Sequence, residues 1–444
     1  MSNTWISKLV EAGAYIHDGL QIQDFPDTGR GIATSSKLKH RERILHIPAH
    51  LTWSIDSARA DSKIGHLITD EVSINDAIAL LLLHHRSKYL AAEKDDEEAL
   101  DWRMLHLKHL PKEYSSTLTF DSDELAILEG SVVYSTTKLL EDQIANDYEV
   151  LSRTVLCHKD LFPPSCCALV DYKWALLTVY SRCMDNVNRE KDRRMAPFAD
   201  MFNHSEESEA VHMVDETGIT VFASRDYESG QQVYISYGRF GNEKMLWVYG
   251  FIIENNLRDS YPLVLHTNEE ADLYNVKSDL WKQANLTPTS TIPLTMSNPL
   301  PVEILQYLRI QRFRPEVYAT SRSQPPFRQL VSYETEHSIL ADLKSAFQGL
   351  LQEFRPRDEL QRISESGAKF TKRWMAAVTA SSQYNILVKS LEKVEREMEV
   401  LQCGNCGKVD DQNKYCSRCL KVLYCSRECQ KKAYKEHKKT CVAP

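Results

Sequence analysis

The most constraining stretch of this sequence is CGNCGKVDDQNKYCSRCLKVLYCSRECQKKAYKEHKKTC, from Cys403 to Cys441, which holds seven of the chain's eleven cysteines. Its ligand-type residues come in pairs: Cys403-x2-Cys406, Cys416-x2-Cys419, Cys425-x3-Cys429 and His437-x3-Cys441. Each pair is close enough for two side chains to grip one ion, and zinc takes four such ligands in a tetrahedron. Eight ligands make two zinc sites. A disulfide framework is the competing reading. Against it, MSNTWISKLVEAG carries neither a basic leader nor an apolar core, so the expectation is a reducing compartment, cytoplasm or nucleus. A segment of about 40 residues cannot build an adequate apolar core, so metal must supply most of its folding energy.

The tail is also basic. Ten Lys/Arg against four Asp/Glu give it +6, which leaves −14 for the remainder of a chain whose net charge is −8. Positive charge suits nucleic acid. The lysines, however, cluster in KKAYKEHKK with the helical spacing of a solvated face, and that is the preferred reading.

About 400 residues precede this tail, enough for two or three domains, and 42% apolar content supports real cores. The longest apolar run, Ala77–Leu83, is far too short to cross a membrane. Short β-like runs (Ala14–Ile16, Leu20–Ile22, Ile44–Ile47) are punctuated by Pro and Gly. From about Ser73 to Thr178 three-to-four spacing predicts helices, one starting at Asp121 or Ser122, with Glu93–Glu98 an exposed loop or helix end. Strands return near Met195–Phe198, Gly218–Phe222 and Gln232–Ile235. After about Pro262 the chain reads as mostly helical, ending in SLEKVEREMEVLQ, whose alternating charges suit a surface helix.

Three segments carry candidate chemistry. In DTGRGIA, two glycines bracket one residue, which lets backbone approach a ligand closely, although a lone GxG is usually only a turn. MAPFADMFNHS places Asp200, Asn203 and His204 just after an apolar run. VYISYGRFGNEKMLWVYGF surrounds a glycine with Tyr234, Tyr237 and Tyr249, each of which taken singly reads as core or rim.

The tail closely resembles the MYND zinc finger, with all eight ligand positions filled. The resemblance implies interleaved sites: Cys403, Cys406, Cys425 and Cys429 on one ion, and Cys416, Cys419, His437 and Cys441 on the other. Such modules bind peptides, often proline-containing ones. GRGIA, ADMFNHS and YISYG, in that order, resemble the SET methyltransferase family. The helical stretch containing PKEYSSTLTFDSDELAILEGS and the helical region after YGFIIENN resemble its Rubisco-lysine-methyltransferase class. The implied fold is α+β: a SET β-fold over residues 1–255 with a helical insert at about 70–172, a helical lobe over 256–400 and a two-zinc finger at 403–441. The sequence departs from the family pattern in four places. The finger follows the SET halves instead of interrupting them, no Cys-rich segment follows Tyr249, Thr28 stands where several relatives carry Glu, and Arg30 lies inside the glycine pair.

What the SET resemblance implies is transfer of a methyl group from S-adenosylmethionine to a protein amine, usually lysine. Backbone of Thr28, Gly29 and Arg30, with Asn203 and His204, is then expected to meet the cofactor. Arg182 and Asp200 are expected to frame cofactor or substrate, Asp200 otherwise bracing the turn. Tyr237 is expected to orient the acceptor amine, Tyr249 to line the same channel, and Phe198 and Phe251 to serve as walls or core. The resemblance leaves a histidine acceptor open, and a non-catalytic adaptor built on the same fold is the reading from a different class. The finger is expected to be a self-sufficient appended module, so that a chain ending near Gln402 stays folded.

Overall fold

The computed structural model describes residues 3–92, 97–190, 192–209, 212–315, 327–419 and 421–442. The chain divides into two compact units. One comprises residues 1–119, 137–240 and 244–251; the other comprises 120–136, 241–243 and 252–444.

The first unit is built on three small sheets. Strands β1 (Tyr15–Ile16), β4 (Arg43–Pro48), β10 (Gly218–Phe222) and β9 (His212–Asp215) form one in the order β1-β4-β10-β9. A second runs β2 (Leu20–Phe25), β3 (Gly29–Thr34), β11 (Gln232–Ile235) and β8 (Asn203–His204). The third is β5 (Trp53–Ser54), β7 (Arg193–Met195) and β6 (Met184–Asp185), in that order. Ile32, Ile44, Leu45, Ile47, Ile219, Val221 and Val233 are buried between the sheets and form one apolar cluster. Strand β11 is the hub of the second sheet. It runs antiparallel to β3 through Val233 and Ile32, and parallel to β8 through Tyr234 opposite Asn203 and Ile235 opposite His204.

The strand expected over Met195–Phe198 ends at Met195. Pro197 has no N–H for a ladder, and Phe198 takes φ +69° while fully buried against Trp5 and Phe202. A left-handed backbone is costly for a side chain this large, so packing around Phe198 must hold it there. The reversal turns the chain into Ala199–Met201 and delivers Asn203 and His204 to the edge of β11.

The insert is helical as expected. Its central helix, Ile74–Ala91, is capped by Ser73 and buries nine consecutive residues from Ala77 to His85. A helix apolar on every side belongs inside a core, and this one packs with helix Leu169–Arg182. In the predicted loop Glu93–Glu98, residues 93–96 lie outside the described residues, and Glu97 and Glu98 form a turn. Asp121 caps a helix starting at Ser122, with Glu124 completing a capping box. That helix belongs to the second unit, where Arg355 donates to the Ala126 carbonyl at 2.8 Å and Gln383 accepts from the Val132 N–H at 2.9 Å.

The second unit is a helical lobe, with one element the sequence reading lacked. Strands β12 (Tyr261–His266) and β13 (Thr289–Leu294) pair antiparallel over six residues. Pro262 and Pro293 lie opposite each other in this two-stranded ribbon, which obscured the strand pattern. The long helix Lys372–Val400 packs on helices Tyr333–Glu353 and Arg357–Ser366. Within SLEKVEREMEVLQ, Ser390 and Val394 are fully buried, so the expected surface helix has one stripe in the core. No helix among the described residues is long and apolar enough to cross a membrane.

The tail shares apolar contacts with the lobe. It forms strands β14 (Lys414–Tyr415) and β15 (Leu423–Tyr424) and the helix Arg427–His437. Leu423 is fully buried and belongs to the same apolar cluster as Tyr333, Leu340, Phe347 and Leu387 of the lobe. The Tyr333 N–H donates to Asp411 at 2.5 Å, and Gln402 Nε2 lies 3.2 Å from His337 Nε2. Ending the chain near Gln402 would therefore open the lobe core, because about 40 residues with little apolar content borrow burial from their neighbour. Leu423→Ala should destabilise the lobe by about 2–5 kcal/mol, read from denaturant unfolding. An effect near zero would restore the independent-module view.

Candidate functional site

The β2–β3 hairpin, the 198–204 turn and β11 converge on one point. There Asn203 Nδ2 donates to the carbonyls of Arg30 at 3.2 Å and Thr28 at 3.4 Å. The Thr28 hydroxyl hydrogen-bonds with Gln232, the first residue of β11, whose Nε2 donates to it at 2.9 Å. The two glycines of DTGRGIA have different tasks. Gly29 adopts φ +66°, and a Cβ on it would meet nothing within 4 Å, so the space before it is open. A Cβ on Gly31 would lie 2.5 Å from both Asn203 Nδ2 and Gln232 Nε2. Only glycine permits that crossing. The Arg30 side chain turns away and donates to the His109 carbonyl.

Tyr237 lies two residues beyond the end of β11. Its N–H donates to His204 Nδ1 at 3.0 Å and its hydroxyl donates to the Phe202 carbonyl at 2.7 Å. The ring sits 4.8 Å from Tyr249 and 5.3 Å from His204 between centroids, with Phe251 completing the group. Phe251 packs on the rings of His204, Tyr237 and Tyr249, whereas Phe198 is core. Two consequences follow. The Tyr237 proton is committed to Phe202, so its oxygen lone pairs are left to accept; burial raises its pKa and keeps it neutral. His204 uses Nδ1 as acceptor, which puts the ring proton on Nε2, a buried donor with no partner among the described residues. Burial also lowers the His204 pKa and keeps that ring neutral.

Behind Tyr237 lies a buried polar chain. Arg182 closes helix Leu169–Arg182, and its Nη1 donates to the Asp200 carbonyl at 2.8 Å and carboxylate at 3.0 Å. His106 Nε2 is 3.2 Å from the other Asp200 oxygen, both side chains being wholly buried. The Trp53 indole N–H donates to His106 Nδ1 at 2.8 Å, and since indole only donates, the His106 proton belongs on Nε2, facing Asp200. Asp200 therefore braces the turn before Asn203. The sequence reading missed Trp53, His106 and Gln232. Trp53 and His106 lie 53 residues apart in unremarked helical and strand texture, and no local motif marks them. Arg182, Asp200, Tyr237 and Tyr249 together line a pocket of about 360 Å³, with Tyr180 and Trp247 forming an aromatic wall.

The tail's ligands gather in two groups, Cys403, Cys406, Cys425 and Cys429 in one and Cys416, Cys419, His437 and Cys441 in the other, with the ligand atoms of each group all within 4.8 Å of one another. Cys406 and Cys425 sulfurs are 3.6 Å apart, Cys416 and Cys441 3.9 Å, and Cys419 Sγ lies 3.6 Å from His437 Nε2. Tetrahedral Zn–S bonds of about 2.3 Å separate sulfurs by about 3.8 Å. The residues fit zinc, in the interleaved order expected.

Comparison with known proteins agrees with this geometry. Residues 29–238 match the SET domain model, 268–387 the Rubisco LSMT substrate-binding model and 403–441 the MYND finger model. Residues 29–238 thus carry a SET domain and residues 403–441 a MYND finger. Solved structures of LSMT share the fold: one bound to MeLysine and AdoHcy superposes with a TM-score of 0.75 at 22% identity, over 89% of this chain and 92% of that one. A second, bound to AdoMet, gives 0.74 at 21%, over 89% and 92%. Among curated relatives, an actin-histidine N-methyltransferase of Xenopus tropicalis is 27% identical over 66% of this chain, which spans only 50% of that protein. A ribulose-1,5 bisphosphate carboxylase/oxygenase large subunit N-methyltransferase of Nicotiana tabacum is 25% identical over 89% of this chain and 80% of its own length. A fructose-bisphosphate aldolase-lysine N-methyltransferase of Arabidopsis thaliana is 29% identical over 64% of this chain and 58% of its own.

The SET core's buried charge chain predicts a pH dependence. Burial would raise the Asp200 carboxyl, but His106 and Arg182 outweigh it and hold it at about 2. A depressed carboxylate stabilises the fold above its unfolded pKa and loses that contribution as pH falls through its folded pKa. Asp200→Asn leaves Arg182 without its partner charge and should cost about 3–5 kcal/mol near neutral pH. In unfolding curves the gap to wild type should narrow between about pH 4 and about pH 2; a gap unchanged over that range would contradict the pairing.

Proposed function

We propose that this chain is an S-adenosylmethionine-dependent protein methyltransferase whose acceptor is a lysine ε-amine. The observation that carries the reading is the committed Tyr237 hydroxyl. With its proton on the Phe202 carbonyl, the Tyr237 oxygen faces the pocket as an acceptor. An attacking amine carries N–H bonds on the reacting nitrogen itself and can be oriented by that oxygen. The attacking nitrogen of an imidazole has no hydrogen to offer, so Tyr237 favours lysine over histidine. Histidine remains the second reading because several relatives are actin-histidine N-methyltransferases.

The residues present fit the cofactor. His204 Nε2 and Arg182 Nε are buried donors with no partner among the described residues, and the space before Gly29 is open. In this reading Thr28, Gly29 and Arg30 present backbone to the cofactor, and Asn203 and His204 hold its other side. S-adenosylmethionine, when bound, supplies a methyl group on a positively charged sulfur. A lysine with pKa about 10.4 needs about 4.6 kcal/mol to be neutral at pH 7. The pocket helps, because Arg182, Arg193 and Lys244 in its lining outnumber Asp185 and Asp200, and a surplus of positive charge disfavours a second cation. Tyr237 then fixes the amine in line, with Tyr249 beside it, so that positioning supplies the remainder. The MYND finger is read as a site for a peptide partner, nucleic acid being disfavoured. Seven cysteine ligands kept as thiolates suit the cytoplasm or nucleus.

Labelled-cofactor transfer in a lysate, followed by mass spectrometry of the labelled protein, tests the reading. Label should appear on a lysine side chain, and Tyr237→Phe should slow transfer on the order of 10²-fold with cofactor affinity nearly unchanged. Label on histidine would overturn the lysine assignment, and no transfer by the wild type would overturn the enzyme.

A further inference from the structure

The segment that carries Tyr249 into the pocket is wound in an uncommon way. Met245–Tyr249 is a five-residue π-turn, preceded by Lys244 and closed by Gly250. Such wide turns are rare and are frequent at functional sites. The winding decides which side chains share a face. In an α-helix residues three and four apart are neighbours, so Trp247 and Val248 would stand over Lys244, and Tyr249 would point about 100° further round. Bonding from i to i+5 spends less rotation on each residue and brings position 249 back towards Lys244. Lys244, Trp247, Val248 and Tyr249 all line the pocket of about 360 Å³, and the Tyr249 ring lies 4.8 Å from that of Tyr237.

A strained turn needs support from its surroundings, and the last carbonyls of a helix have no partner within it. Here the Ser116 hydroxyl donates to the Trp247 carbonyl. Ser116 is 2% exposed, and its own carbonyl accepts the Thr119 N–H at 2.9 Å and the Thr119 hydroxyl at 2.8 Å, so the donor is fixed in place. Gly250 leaves the turn with φ +76°, and a Cβ on it would stand 2.9 Å from the Ser115 carbonyl carbon and 3.0 Å from the Ser116 nitrogen. Only glycine lets the two backbones meet so closely. We propose that Ser116 and Gly250 are positioning residues, which together hold the π-turn so that Tyr249 forms the wall of the acceptor channel beside Tyr237. Neither lines the pocket, so both act through Tyr249. The inference rests on the methyltransferase reading for what Tyr249 does there, and on the hydrogen bond and the glycine contact for what holds it.

The test uses fluorine NMR of the full chain labelled with fluorotyrosine, the Tyr249 signal being assigned by its loss in Tyr249→Phe. Ser116→Ala should shift and broaden that signal, whereas Ser115→Ala, at the exposed neighbour, should leave it in place. Ser116→Cys keeps nearly the same volume with a weaker donor. It should move the signal in the same direction by less, and it decides the matter if circular dichroism shows the alanine variant unfolded. In labelled-cofactor transfer to a lysate, Ser116→Ala should be slower on the order of tenfold, with S-adenosylmethionine affinity unchanged by isothermal titration. A Tyr249 signal that stays in place in both Ser116 variants, or moves equally in Ser115→Ala, would overturn the proposal. So would a wild-type transfer rate in Ser116→Ala, or a loss of cofactor affinity, which would make Ser116 a general structural residue. A wild type that transfers no methyl group would overturn the methyltransferase reading instead, and the fluorine signals would still decide what holds Tyr249.

Discussion

Asn203 reaches across 173 residues of sequence to the carbonyl of Arg30, and the site in the SET core depends on that bond. It is possible only because Gly31 has no Cβ, since one would stand 2.5 Å from the Asn203 amide. Once Asn203 is fixed, β8 can pair in parallel with β11, and His204 comes to rest under the N–H of Tyr237. The position of Tyr237 is then determined from both ends, by its backbone on His204 and by its hydroxyl on Phe202. A short two-residue strand would not hold this alone. The left-handed Phe198, locked between Trp5 and Phe202, delivers the turn, and the Arg182–Asp200–His106–Trp53 chain holds it from behind.

That chain is expensive to bury and hard to replace piecemeal. A buried carboxylate needs its partners, and each partner here comes from a different element: Arg182 from the end of one helix, His106 from another, and Trp53 from β5. Removing one leaves the others uncompensated in a low-dielectric interior. The network therefore specifies where the insert sits against the turn more than it adds net stability. The finger shows the opposite economy. Its metal ligands organise it, and Leu423 joins it to the lobe's apolar cluster.

The metal ligands were fully legible in the sequence, because pair spacing is a local property and zinc chemistry allows few alternatives. GRG, NHS and SYG were legible as a set, and the structure brings all three to one crossing. What stayed hidden was non-local. His106 and Trp53 sit in ordinary apolar texture, and their role depends on a contact with Asp200 that no spacing encodes. The β12–β13 ribbon was hidden by its prolines, and the burial of Leu423 by the apparent completeness of the metal-binding tail. For Arg30 the sequence reading named only the backbone, and in the structure its carbonyl meets Asn203 while its side chain is held by the His109 carbonyl.

In the proposed function the crossing of Gly31, Asn203 and Tyr237 forms the cofactor site. Isothermal titration of the full chain with S-adenosylmethionine tests it most directly, with Asn203→Ala alongside and circular dichroism to confirm that both are folded. One molecule should bind per wild-type chain, with affinity at least tenfold weaker in the variant. A folded wild type that binds none, or a variant that binds equally well, would contradict it.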